Sequence, residues 1–210
     1  MVLMQSKMLR LLQWWFMFLA ALLPLGWISY NAWIFNLGAD PAKTIVDFLG
    51  QWALHFLWIS LALTPLKHLL GWSGLLRYRR MLGLYALFYA CLHLLSFATF
   101  IVGWRWDLLL QAFTERPYIF VGATALLLMI PLGITSTKGW QRRLKKRWGQ
   151  LHSLVYLISL LVMVHLIWLI RASYFDAVLY GAILAWMLGY RLYLKRRQLQ
   201  RRRGTAAAGS

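Results

Sequence analysis

The sequence is poor in charge, and poorest in acid: only 13% of its 210 residues are charged, and five Asp and Glu face 23 Lys and Arg. Soluble domains carry roughly 25% charged residues, so a water-exposed fold is excluded by that shortage alone. Cysteine is nearly absent as well. With Cys91 as the single thiol, an intrachain disulfide, an iron–sulfur cluster, a cysteine-rich zinc site and covalent haem attachment through C-x-x-C-H are all ruled out. There is no G-x-G-x-x-G or P-loop pattern, and every connection is too short to fold as a nucleotide-binding domain. No inverted repeat of the transporter kind is visible either.

What the chain has instead is apolar length. Hydrophobic residues make up 61% of it, and a bilayer core of about 30 Å needs roughly 20 apolar residues in helix. Six stretches meet or approach that requirement: Leu11 to Tyr30, Phe48 to Leu66, Met81 to Trp104, Pro117 to Thr137, Trp148 to Ile170, and Ala177 to Tyr190, the last reaching Leu194 if Arg191 snorkels its head group to the interface. The expected fold is all-α, a polytopic bundle of six transmembrane helices. The first stretch runs past the length of a signal-peptide core without an A-x-A-like cleavage site, so it reads as a retained helix. Many of the 13 Trp residues, Trp33, Trp72, Trp104 and Trp106 among them, fall near the span boundaries, where indole rings anchor at head-group level.

The net charge of +18 would suggest nucleic acid in a soluble protein, but its distribution says otherwise. Placing both termini in the cytoplasm puts 19 of the 23 basic residues on inner segments, leaving Lys43, Arg105, Arg116 and Arg171 outside with all five acids, Asp40, Asp47, Asp107, Glu115 and Asp176. The excess is thus a topology signal, and the basic inner face should attract anionic lipid. A transporter is disfavoured because no acid lies within a span. The organisation expected is a cytoplasmic N-terminus at 1–10, a membrane domain at 11–194 and a basic, disordered cytoplasmic tail at 195–210.

Chemistry must then come from histidines inside the spans, since ionisable groups at that depth are functional by default. His93 lies 13 residues beyond Arg80, and His165 lies 13 beyond His152. At 1.5 Å per residue both stand about 20 Å from the inner ends of two parallel helices. Two imidazoles at one depth on different helices can approach one iron from opposite sides, which suits a b-type haem. His152 is turned some 140° from His165 at about 100° per residue, so the two do not share a pocket in a straight helix. Arg79 and Arg80 occupy the inner level of the third span, where either could hold a haem propionate or a flavin phosphate. His55 stands alone in its span, His68 is a solvated boundary residue, and Cys91 reads as packing.

Several runs together resemble the MsrQ family, haem-binding membrane subunits of bacterial periplasmic protein-methionine-sulfoxide reductase systems within the ferric-reductase-like transmembrane superfamily. They are Leu37-Gly38-Ala39-Asp40-Pro41, Arg79 to Leu84 leading to Leu92-His93-Leu94, Thr135-Ser136-Thr137, and Trp148 to His152 continuing through Tyr156 to His165. The resemblance covers roughly Leu11 to Leu194. It implies an electron carrier that draws on the quinone pool, or on a cytosolic flavin reductase, and passes electrons through one or two haems b to a periplasmic molybdopterin-containing reductase subunit. FMN is implied by the family alone. Larger relatives carry two histidines on each haem-binding helix and a cytosolic flavin and nicotinamide domain; here Arg79 or Arg80 replaces one histidine and that domain is missing. The site expected is therefore His93 and His165 on the haem iron, with His152, Arg79 and Arg80 forming an inner site. A stand-alone transmembrane ferric or quinone reductase of the cytochrome b type is the competing reading.

Overall fold

The structure, a computed structural model, describes residues 2–169 and 174–207; Arg171 lies outside them. Ten helices follow in order: α1 Val2–Ala20, α2 Leu23–Trp33, α3 Pro41–Leu70, α4 Arg79–Ser96, α5 Trp106–Glu115, α6 Pro117–Ile134, α7 Lys138–Leu144, α8 Lys146–His152, α9 Leu154–Leu169 and α10 Phe175–Ala207. Six candidate membrane spans result, the first made by α1 with α2, the third by α4 with the short helices flanking it, and the fifth by α8 with α9. The fold class matches expectation. The two ends of the bundle differ in charge: Asp40, Asp47, Asp107 and Glu115 mark an acidic end, and Arg77 to Arg80 and Lys138 to Arg147 a basic end.

Three of the spans are interrupted, the first of them beside a proline. Pro24 has no N–H to donate, and the first span breaks at Ala21 and Leu22. The hydroxyl of fully buried Tyr89, on α4, enters that break. It donates to the Ala21 carbonyl at 2.9 Å and accepts from Leu25 N at 3.2 Å, restoring through a side chain the bond the helix lost. One turn away Tyr85 donates to the Phe18 carbonyl at 2.8 Å. The third span tightens into a 3₁₀ helix before α4, at Ser73–Tyr78, and loosens into a π-helix after it, at Phe97–Val102. The fifth bends at Ser153, between α8 and α9.

The helix pair α3 and α4 forms the core. Phe56 stacks on Tyr89 with ring centroids 5.2 Å apart, and Leu61 and Ala86 are wholly buried beside it. Helix α3 starts on Asp40, whose carboxylate accepts from Lys43 N at 3.0 Å, with Pro41 at its first position. Pairs α3–α4 and α6–α9 make two antiparallel hairpins, and α10 packs against both α3 and α9.

Two expectations for the last span are corrected. Arg191 does not snorkel to the interface. Pro65, inside α3, cannot donate to the Leu61 carbonyl, and Arg191 Nη2 takes that vacancy at 2.5 Å while Nη1 donates to the Tyr156 hydroxyl at 2.7 Å. The segment expected to be a disordered tail instead continues α10 as far as Ala207. Lys, Arg, Gln, Leu and Ala are all good helix formers, and extending an existing helix avoids the cost of nucleation.

Candidate functional site

Helices α4 and α9 bring His93 and His165 face to edge, with ring centroids 6.4 Å apart and planes at 80°. Each ring is tied back by one nitrogen. His93 Nδ1 donates to the Val46 carbonyl of α3 at 2.8 Å, and His165 Nδ1 donates to the Tyr118 carbonyl of α6 at 2.6 Å. A carbonyl only accepts, so in both rings the proton sits on Nδ1 and the lone pair on Nε2. This is the tautomer of a metal-ligating histidine, whose other N–H is characteristically held by a carbonyl or carboxylate. With metal–nitrogen bonds of about 2 Å, imidazoles on opposite sides of one ion have centroids roughly 6 Å apart. The observed separation fits. Among the described residues no third His, Cys, Asp or Glu joins the pair in a metal-binding group, so an ion held here must bring its remaining ligands with it, as a haem does.

The two halves of the site are built alike. Each histidine lies 47 residues after the carbonyl it donates to. One helical turn beyond each carbonyl stands a glycine, Gly50 on α3 and Gly122 on α6, and the histidine ring packs against it. A Cβ on Gly50 would meet His93 Nδ1 and Cε1 at 3.0 Å; on Gly122 it would meet His165 Nδ1 at 2.7 Å. Only glycine admits the rings this close. A shift of 72 residues therefore carries Val46, Gly50 and His93 onto Tyr118, Gly122 and His165. The hairpins α3–α4 and α6–α9 are a direct repeat, which is distinct from the inverted kind absent from the sequence. Sequence reasoning missed the two glycines and the two carbonyls; the signal that could have found them is the recurrence of the Gly and His spacing at that shift.

The basic end is organised differently. His152 Nε2 lies 3.1 Å from Thr135 Oγ1, and that hydroxyl donates its one hydrogen to the Pro131 carbonyl at 2.6 Å. Thr135 must then accept, so His152 carries its proton on Nε2. Trp148 stacks on the imidazole at 4.1 Å and donates its own N–H to the Thr135 carbonyl at 3.0 Å. The structure does not bring His152 together with His165. It also separates the two arginines. The charge of Arg79 acts on His152 and on Arg191, whereas Arg80 turns toward α1 and lines, with Arg77, Trp14, Phe18, Tyr85 and Phe88, a cavity of 480 Å³.

The remaining candidates are dispersed. His55, on α3, contacts Tyr180 of α10 with Nε2 and Oη 2.7 Å apart. His68 is exposed near the end of α3, as expected. Cys91 is exposed on the outside of the bundle, where packing had been expected, because two residues along a helix carry it off the face of His93.

Comparison with known proteins bears on the same helices. The family described as "Ferric reductase like transmembrane component" matches residues 49–164. A protein of Xanthomonas euvesicatoria is 47% identical over 193 residues, 89% of this chain and 87% of its own. One from Xanthomonas oryzae is 47% identical over 84% of each chain, and one from Xanthomonas campestris is 46% identical over 89% and 87%. All three are named protein-methionine-sulfoxide reductase heme-binding subunit MsrQ. The chain belongs to the MsrQ family. Like that family it is a multi-pass protein of the bacterial inner membrane. Gly50, His93, Gly122 and His152 all fall within the matched stretch, which stops one residue short of His165. No solved structure matches.

Proposed function

We propose that the chain is the membrane electron-transfer subunit of a protein-methionine-sulfoxide reductase system, with a haem b held between His93 and His165. The observation that carries this reading is the matched tautomer: two backbone carbonyls take both Nδ1 protons and leave two Nε2 lone pairs for one iron. When bound, haem b supplies a one-electron couple within the bilayer. The chain's own residues hold the rings at fixed distance, set their orientation through the Val46 and Tyr118 carbonyls, and keep the site inside the bundle, which are the levers that tune a potential.

The basic end is assigned to the cytoplasm by the positive-inside rule. The haem then lies nearer the periplasm, close to where a molybdopterin-containing reductase subunit would take the electrons. Quinol is the proposed donor, since lipid delivers it without a soluble domain. If FMN binds, the cavity with Arg77 and Arg80 offers guanidinium groups for its phosphate and aromatic walls for its ring. A second haem at His152 would first have to break the bond to Thr135.

The test is the visible spectrum of the purified membrane protein. A reducible b-type signal in the wild type, lost in both His93→Ala and His165→Ala, is the expected result. Retention of the full signal in both variants would overturn the ligand assignment. Quinol-driven turnover with soluble metal acceptors, without a second subunit, would instead favour the stand-alone reductase.

A further inference from the structure

One half-buried pair is left over by this scheme. His55 and Tyr180 meet at the seam of α3 and α10, inside the span and away from His93. Tyr180 is pinned from behind by Trp58, whose indole N–H donates to its carbonyl at 3.1 Å. Trp52 sets its ring edge-on to His55 at 5.2 Å, and an aromatic row continues from it through Phe48 to Trp27. One turn from His55, on the same face of α3, Gln51 is exposed, and its side-chain amide has no hydrogen-bond partner among the described residues. An amide pointed at hydrocarbon without a partner costs free energy unless something from the lipid satisfies it. Gln51 is itself one turn from Asp47, whose pair with Lys43 marks the acidic-end interface.

We infer that Gln51, His55 and Tyr180 form the site where a lipid-borne quinol is oxidised. The inference rests on the quinol-donor reading above and gives it a place. Residues four apart on a helix are neighbours on one face, so a six-membered ring bearing an oxygen at each end can lie along α3 between Gln51 and the His55–Tyr180 pair. One oxygen of the quinol meets Tyr180 Oη, the other meets the Gln51 amide, and the ring lies along Trp52. A glutamine suits both redox states, because its carbonyl accepts from a hydroxyl and its NH₂ donates to a quinone oxygen. His55 lies five residues, about 7.5 Å of helical rise, from Gly50, which backs His93, so electrons enter beside the proposed haem.

The step balances. At Tyr180 the quinol O–H bond breaks, its proton passes to Oη, and the Tyr180 proton passes to His55 Nε2. The proton on the second oxygen, at Gln51, leaves to water at the interface one turn away. The two electrons would leave one at a time through a haem held by His93 and His165, for a partner at which a methionine sulfoxide would take both, with two protons, to give water and the thioether. The His55 proton returns through Tyr180 toward Asp176, one turn nearer the acidic end on the same face of α10.

The experiment uses the full chain, purified with its haem and reconstituted in nanodiscs, with decylubiquinol as the probe and haem reduction followed by stopped flow. Dithionite provides the control for an intact centre. Tyr180→Phe and His55→Gln should each slow reduction by quinol at least tenfold while the dithionite-reduced spectrum stays unchanged, and Gln51→Leu should slow it severalfold. His55→Gln is decisive, since glutamine preserves a bond to Tyr180 but takes no proton, so a packing role predicts a normal rate. If wild type is reduced by quinol and both variants keep its rate, the site is wrong and the donor reading stands. If dithionite but not quinol reduces the wild type, the donor reading fails and the site with it.

Discussion

The two ends of the bundle use the same side chain in opposite tautomers. Near the acidic end a backbone carbonyl fixes the proton of each histidine on Nδ1, which leaves the lone pair on Nε2. Near the basic end Thr135 fixes the proton of His152 on Nε2, and the position 72 residues earlier is Arg80, which faces a different groove. The repeat that builds the first site has thus lost its symmetry at the second. The residue type says little about ligation; the acceptor placed beside the ring decides it.

That contrast is most sharply broken by filling the glycine notches. Gly122→Ala puts a methyl at 2.7 Å from His165 Nδ1, so either the ring or α6 must move. Loss of second-shell support weakens metal sites about 10–100-fold, and haem retention should fall by at least the lower figure, read as Soret absorbance per protein. Gly50→Ala, at 3.0 Å, should cost less. Equal losses would mean that the two halves are equally tight, contrary to the distances.

A smaller effect is expected at the basic end. His152→Ala should keep the haem proposed between His93 and His165, its amount per protein measured as the pyridine haemochrome. Halving of the bound haem would show a second haem there, and complete loss would merge the two levels into one site.

The smallest effect belongs to the acidic-end surface. Arg105 donates to Asp107 at 2.6 Å and holds its carboxyl below the usual carboxylate range. A carboxylate with a lowered folded value contributes stability at neutral pH that disappears as pH falls through that value. This pair is open to solvent, where ion pairs contribute little. Asp107→Asn should therefore leave the thermal unfolding midpoint in detergent unchanged at neutral pH; a clear drop would show the pair to be structural.

Much of this was legible in the residues. Charge-free stretches located the six spans, because hydrocarbon tolerates few alternatives, and counting rises from Arg80 and His152 put His93 and His165 at one depth. Side-chain direction was harder to read. Arg79 and Arg80 are neighbours in sequence but 100° apart around a helix, and only the start of α4 after its 3₁₀ turn decides which one faces inward. Arg191 looked like an interfacial residue because the partner that draws it in, the Leu61 carbonyl, is released by a proline 126 residues earlier. The tail looked disordered by composition, although its residues propagate a helix once α10 has nucleated it.

The contact between Arg191 and α3 also bears on how the molecule is assembled. Helix α10 packs on both α3 and α9, and it follows both in the chain. Without it, the hairpins α3–α4 and α6–α9 lack that cover along one flank. Closure then sets Arg191 between Tyr156 and the Leu61 carbonyl, two groups from different hairpins, so the latch engages only if both are in register. The register of the two hairpins is thus held by a helix that belongs to neither.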